Sequence, residues 1–429
     1  MKFKANVAGL AKGLGPAIEV ASKAPLKDFE YVDKVGLAVT EDGAVAYAFN
    51  GRMSVKNTIS DSTINNLDFK FIDEGRVVFN AKELARVLGS FRATEELVVE
   101  LKDASGEDGG KELIFALAED EEQFQSLPVY KEDITLPEPA SDYDKNLDIN
   151  RNILLRGINK VFFAVGYENE REQYLYWAIK AKGDTARFVA GSGARFAVLN
   201  LQGDSLFSKA ADDIMFLMPK EQTPSIQKIL TDIEDEMVTI KESKSSDNFH
   251  IVIATKSSEI MLMGINANIK YVDENVVMNR TYSCKTIGDV SEWEYAARGT
   301  MATFDEQLKK ERRPHKAFGY ADFGKAVLQV KTKDRMRSCR KVKMLDIING
   351  SGKDTGEFIV SSNFFAEVSA HAEDSKYVQV EFDGADRKCP VLVRYFAADK
   401  IADPKDLVNI NKSINTRESF TIFFCQLQG

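Results

Sequence analysis

The stretch Glu96-Leu97-Val98-Val99-Glu100-Leu101 recurs twice more in this chain, and that recurrence limits the fold more than any other feature of the sequence. Glu236-Met237-Val238-Thr239-Ile240-Lys241 and Lys376-Tyr377-Val378-Gln379-Val380-Glu381 have the same strand-like alternation. Leu97 and Met237 are 140 residues apart, and so are Met237 and Tyr377. An amphipathic run precedes each copy, at residues 80–88, 225–230 and 363–368. A second apolar run follows each, at residues 112–117, 249–254 and 391–396. A period this long is a whole domain, not a solenoid unit. The chain therefore reads as three tandem α+β units, each with two helices and several antiparallel strands.

Length agrees, since 429 residues suffice for roughly three domains. No apolar run approaches the ~18–20 residues of a membrane span, and Met1-Lys2-Phe3-Lys4 does not open a signal peptide. The four cysteines, Cys284, Cys339, Cys389 and Cys425, form no C-x-x-C pair, which points to a reducing, cytoplasmic compartment. The net charge of −9 argues against a nucleic-acid binder until its distribution is considered. Residues 305–343 hold 13 Lys/Arg against 5 Asp/Glu. Acid collects in Glu119-Asp120-Glu121-Glu122, Asp212-Asp213 and Glu234-Asp235-Glu236. Such a protein repels polyanions on one surface and accepts them on another.

In chain order, the periodicity predicts a helix over 7–22, weakened by Gly13, Gly15 and Pro16, then strands over 31–39 and 45–55. Asn80 caps the next helix. Thr135-Leu136-Pro137-Glu138-Pro139-Ala140-Ser141-Asp142 is a linker, after which the pattern restarts with a helix over 152–165 and strands over 174–181 and 185–190. The turn Gly191-Ser192-Gly193-Ala194-Arg195-Phe196 matches Phe49-Asn50-Gly51-Arg52-Met53 in the first unit. The second boundary falls between Arg280 and Thr300; the third unit then reads as strand 300–304, helix 305–313 stopped by Pro314, strands 325–331 and 341–348, and a last strand over 420–425. These readings give domains at 1–138, 148–285 and 296–429.

Chemistry is sparse. His250, His315 and His371 lack metal-ligand spacing, so neither metal nor nucleophilic catalysis is expected, and no cofactor. Asn349-Gly350-Ser351-Gly352-Lys353-Asp354-Thr355-Gly356 fails the phosphate-loop pattern, with Ile347 at the first glycine's place and Asp354 where Ser or Thr should bind magnesium; it reads as a hairpin turn. The helices are more informative. Lys82 and Arg86 share a face opposite Leu84, Val87, Leu88 and Phe91; Arg156 and Lys160 share one opposite Leu154, Ile158, Val161 and Phe162. Lys12, Lys228, Lys309, Lys310, Arg312 and Arg313 extend the series, whereas Glu367 and Glu373 break it in the third unit's second helix. One basic face is the ordinary look of a solvated helix. Its recurrence in equivalent units points to a surface that tracks phosphates without reading bases.

Met1-Lys2-Phe3, three tandem units, the proline-bearing linker and the Gly193-Ala194-Arg195-Phe196 turn together resemble the bacterial DNA polymerase III β subunit, the sliding clamp, across nearly the whole chain. The extra length and irregular third unit look like those of a divergent, phage-encoded member. The resemblance implies a head-to-tail homodimeric ring of six clamp-like domains, helices lining the hole and strands forming the outer layer. It implies a non-enzymatic processivity factor that encircles duplex DNA and partners a replicative polymerase and a clamp loader. DNA-facing cations would be Lys12, Lys23, Lys82, Arg86, Arg92, Arg151, Arg156, Lys160, Lys228, Lys309, Lys310, Arg312 and Arg313. A pocket for partners' linear peptides would use Leu175, Gly193, Arg195, Phe196, Val277, Tyr282, Phe423, Phe424, Cys425, Gln426 and Leu427. The turn lacks the family's usual Thr-Asp-Gly-His-Arg-Leu, and the tail departs from the usual Met-Pro-Met-Arg-Leu ending. For Phe423 and Phe424 the plain alternative is an ordinary last strand. Two other classes stand against the clamp: a non-ring interaction scaffold sharing the triplicated fold, and a nucleic-acid-processing enzyme, which would need converging carboxylates.

Overall fold

Asparagine side chains start the first two helices. The Asn6 carboxamide oxygen accepts from the Ala8 amide at 2.9 Å and opens α1 (Val7–Ala21); the Asn80 oxygen accepts from the Lys82 amide at 2.9 Å and opens α2 (Ala81–Gly89). The computed structural model describes residues 1–23, 29–104, 110–203, 207–208, 210–243, 249–266, 268–302, 316–332, 337–350, 353–361, 369–370, 375–383, 389–396 and 418–424. Further helices are α3 (Arg151–Val161), α4 (Thr223–Asp232), α5 (Asn275–Met278) and α6 (Val290–Met301). None among the described residues is long and apolar enough to cross a membrane.

The chain forms two compact units. The first comprises Met1–Leu155, Leu206–Ser208 and Glu221–Asn268; the second comprises Arg156–Ser205, Lys209–Lys220 and Ile269–Gly429. Each is built on one continuous antiparallel sheet. In the first unit the spatial order is Tyr143–Asn150, Met237–Ser243, Ile251–Ala254, Ser258–Leu262, Met53–Ile59, Gly43–Phe49, Lys34–Thr40, Gly75–Asn80, Phe124–Tyr130, Lys111–Leu117, Glu96–Asp103, Lys2–Asn6 and Lys70–Asp73. In the second it is Ala210–Pro219, Tyr176–Gly183, Thr185–Gly191, Arg195–Gln202, Glu418–Phe424, Val391–Phe396, Tyr377–Phe382, Cys284–Asp289, Ser338–Asn349, Val327–Thr332, Lys316–Asp322 and Thr355–Ser361.

The three recurrent strands are all present, at Glu96–Asp103, Met237–Ser243 and Tyr377–Phe382, and each pairs antiparallel with the apolar run that follows it. Two ladders join strands far apart in sequence. Ser258–Leu262 pairs with Met53–Asn57, and Glu418–Phe424 pairs with Arg195–Leu201. In the first unit α1 packs on α2, α4 and the inner strands. Gly9 and Gly13 let it approach closely: a Cβ at either would lie within 3 Å of Leu67, Ile59 or Ile64. The helix continues through Pro16.

Several sequence expectations need correction. Residues 45–55 are not one strand: the chain turns at Asn50–Arg52, where the Asn50 oxygen accepts from the Arg52 and Met53 amides and Gly51 takes a φ of +90°. Thr300 and Met301 end a helix rather than start a strand. Asp289 caps that helix through the Ser291 amide at 2.8 Å, and Val290, Trp293, Ala297 and Thr300 bury one face at helical spacing. The helix expected over 305–313 lies outside the described residues. Residues 349–356 do not join a hairpin. Thr355–Ser361 pairs with Lys316–Asp322, whereas Ser338–Asn349 pairs with Val327–Thr332 and Cys284–Gly288.

The exit toward the linker is pinned by three side chains. The Tyr47 hydroxyl donates to Asp133 at 2.8 Å and accepts from the Arg76 guanidinium at 2.5 Å. A Cβ on Gly36 would meet the Tyr47 ring at 2.1 Å, so that glycine makes room for the ring. Burial pushes the Tyr47 phenol up to about 12. An unfolded tyrosine titrates near 10, so the folded state holds this proton longer than the unfolded one. Its contribution to stability is intact below about pH 10 and lost as pH climbs toward 12. Denaturant titrations at pH 9 and pH 11.5 should find that Tyr47→Phe removes part of the alkaline loss; an unchanged loss would show that Tyr47 does not carry it.

Candidate nucleic-acid interface and docking cluster

In the first unit the predicted cations sit on α1, α2, α4, the start of α3 and adjoining turns, and most meet a carboxylate. Lys12 pairs with Glu234, which also accepts from Asn65. Lys82 meets Asp33 at 2.8 Å, Lys228 meets Glu19 at 2.8 Å, and Arg92 lies 4.0 Å from Glu95. Lys82, Arg92 and the Lys228 side chain remain largely exposed, whereas Glu19 is buried and also accepts from the Ser225 hydroxyl at 2.9 Å. The hydrogen bond to Glu19 raises the Lys228 ammonium above its ordinary range, and the hydrogen bond from Lys12 lowers the Glu234 carboxyl. Arg86 is exposed, its Nε 3.4 Å from the Lys82 carbonyl, and Lys23 is exposed after α1. Arg151 turns its guanidinium onto the Ile233 carbonyl that follows α4. A helix face with its charges this far paired attracts phosphates weakly and through water.

The second unit corrects one expectation. Arg156 and Lys160 do not form an open basic face: Lys160 is only 8% exposed, with its ammonium 5.5 Å from the Phe420 ring. The apolar stem of a lysine packs where the sequence pattern alone puts a solvated charge. Lys309, Lys310, Arg312 and Arg313 lie outside the described residues.

The second unit also holds the turn assigned to a peptide pocket. Phe196 packs against buried Val189, Val198, Tyr282, Cys389 and Leu392, with Tyr271 and Met278 beside it. Its ring lies over Gly191, where a Cβ would come within 2.2 Å. The tail strand is aligned with this turn: Phe423 is the ladder partner of both Phe196 and Leu392, and Phe424 that of Arg195. Arg195 is buried, 5.6 Å from the Phe163 ring, and the Gly193 amide donates to Glu170 at 2.8 Å. Burial raises the Tyr282 phenol. Leu175 ends a one-turn helix and is not in the cluster; its carbonyl accepts from the Lys220 amide at 2.9 Å. Val277 belongs to α5, and Cys425, Gln426 and Leu427 lie outside the described residues. The cluster also takes in Tyr271, Met278 and Cys389, which lie outside strands, and Val189, Val198 and Leu392, whose sequence signal is the apolar alternation that ordinary core strands share.

No protein-family model and no curated protein sequence matches the chain. Solved structures do match over the full length. The DnaN sliding clamp (DNA polymerase III subunit beta) of Pseudomonas aeruginosa, solved bound to griselimycin, is 15% identical, with a TM-score of 0.76 and 100% of both chains covered. The DNA polymerase sliding clamp of Bacillus subtilis is 13% identical at a TM-score of 0.77, covering 100% of this chain and 99% of that one. The DNA polymerase III β subunit of Thermotoga maritima is 14% identical at 0.72, with both chains fully covered. The chain has the sliding-clamp fold.

The two environments of lysine are separable by mutation. Lys160→Ala should cost roughly 1 kcal/mol or more of unfolding free energy, and Lys82→Ala less than about 0.5 kcal/mol. Urea titration measures both, and equal costs would contradict the burial of Lys160.

Proposed function

We propose that this chain is a DNA sliding clamp, a processivity factor that encircles duplex DNA and tethers a replicative polymerase. The observation that carries this reading is a matched pair of unpaired strand edges. Ser258–Leu262 and Glu418–Phe424 each pair antiparallel with the second apolar run of a repeat on one side and across a repeat boundary on the other. Their counterpart in the first repeat is Phe124–Tyr130, which hairpins onto Lys111–Leu117 in the same way. The strands that receive them are Met53–Ile59 and Arg195–Gln202, and the third counterpart is Ser338–Asn349, paired to Val327–Thr332. Among the described residues, 124–128 and 338–343 each have one side without a ladder partner. An open edge invites another strand. A second copy of the chain supplies the complement of each edge, and two such junctions close a head-to-tail ring of two chains.

Charge favours that pairing. Phe124–Tyr130 follows the exposed acids Glu119-Asp120-Glu121-Glu122; Ser338–Asn349 presents exposed Arg340, Lys341 and Lys343. The threefold division, with units at 1–138, 148–285 and 296–429, is part of the proposal. Strand–helix openings recur at Lys2, Tyr143 and Cys284, which supports a threefold repeat. Within the ring the basic helix faces would meet DNA, and the cluster around Phe196 and Tyr282 would take a linear peptide from the polymerase or a clamp loader. Retention by encirclement requires no bond to be made or broken, and weak phosphate contacts permit sliding. A non-ring scaffold with the same fold is the competing reading; it leaves the two edges without a role.

Light scattering should give twice the 47.9 kDa of one chain. Arg340→Glu with Lys341→Glu, or ~1 M salt, should shift the protein toward monomer. A strict monomer at micromolar concentration would contradict the ring.

A further inference from the structure

A cavity of about 420 Å³ opens on the second unit's sheet. Strand register sets Lys180 beside Arg187 and Lys182 beside Thr185. Beneath them lies Glu274, its side chain 1% exposed. It pairs with Lys180, and its Oε1 is 3.7 Å from the Arg187 guanidinium with no hydrogen bond of its own. The Asn275 oxygen accepts from Arg187 at 3.1 Å, and Lys182 meets Asp213 at 2.6 Å. The neighbouring Asp273 carboxylate accepts from the Asn275 amide at 3.0 Å.

This arrangement buries the Glu274 carboxylate, whereas the Asp213 carboxylate that meets Lys182 stays 68% exposed. The Lys180, Arg187 and Lys182 side chains are 25, 35 and 75% exposed. Glu274 and Asn275 engage one terminal nitrogen of Arg187, which leaves its other donors in a planar fork suited to an oxyanion. Holding Arg187 and Lys180 from below also fixes their direction before a ligand arrives, which lowers the cost of binding.

The cavity adjoins the docking cluster. Tyr271 packs against the cluster, donates its hydroxyl to the Val189 carbonyl at 3.1 Å, and has the Lys180 ammonium 5.7 Å from its ring. Val189 of the cluster is two residues from Arg187 on the same strand, so it shares a sheet face about 7 Å away. We propose that the cavity binds a carboxylate side chain of the linear peptide whose apolar residues occupy the cluster. This rests on the docking reading above and adds a specificity to it: an acidic residue about two to four positions from the apolar anchor, at ~3.3 Å per extended residue.

Two methionines report the two sites separately. Met215 lines the cavity and Met278 packs on the cluster. Methyl-labelled methionine spectra of the full chain should be recorded with two synthetic decapeptides sharing a Leu-Phe anchor, one with aspartate three residues to either side and one with asparagine there. Both peptides should shift Met278, and only the aspartate peptide should shift Met215. It should bind roughly three- to tenfold tighter, and Lys182→Gln should narrow that gap. Shifts at Met278 with none at Met215, and equal affinities, would overturn the acidic specificity and leave the docking reading standing. No shift at Met278 with either peptide would sink the docking reading and this inference with it. A Met215 shift with inorganic phosphate but with neither peptide would assign the cavity to a free oxyanion and overturn the peptide assignment.

Discussion

An unpaired sheet edge is the constraint on which the rest of this structure depends. Backbone N–H and C=O groups along a strand must find partners, and the chain solves the problem twice by extending a sheet across a repeat boundary. The ladders Ser258–Leu262 with Met53–Asn57 and Glu418–Phe424 with Arg195–Leu201 are those two solutions. Each draws its strands from segments about 200 residues apart, so the helices and linkers between them are held by pairing at their ends. A tandem repeat that joins this way has one donor strand and one acceptor strand left over. The proposed closure with a second copy would cover both, where an exposed edge would be prone to indiscriminate pairing.

The electrostatics follow a different logic from a tight nucleic-acid binder. Lys12, Lys82, Lys228 and Arg92 all share their charge with nearby carboxylates. Each pair would weaken the pull on a phosphate, so in the proposed clamp no single contact would anchor the protein. The proposed ring would gain from that weakness. Topology supplies retention, and shallow, screened contacts supply mobility. Glu19 has a second task, since it takes hydrogen bonds from Ser225 and Lys228 and so ties α1 to α4.

Much of the fold was legible in the sequence, because the recurrent strands announce themselves by spacing and alternation. The strand at Met237 and the helix before it needed no tertiary information. Legibility failed where local pattern and tertiary context disagree. Gly299 and a polar first turn give the helix Val290–Met301 the local look of a boundary, yet Trp293 and Tyr395 anchor it through a buried hydrogen bond at 3.1 Å. Lys160 looked like a solvated charge because helical periodicity cannot see Phe420, more than 250 residues away. At the proposed docking cluster, Phe196 and Tyr282 are legible from the turn and its likeness to a known family. Val189, Val198 and Leu392 were not, since an apolar strand residue looks the same whether it lines a pocket or fills a core.

Encirclement is the central claim, and topology tests it most directly. Labelled protein carrying Ser126→Cys would be mixed with nicked circular duplex and cross-linked through Cys339, the exposed cysteine on the opposite edge. It would then be washed at ~1 M salt, where phosphate contacts are screened. The protein should stay with the circle through the wash and leave within minutes of a single double-strand cut. Loss from the intact circle despite a completed cross-link, or equal retention before and after cutting, would contradict the ring.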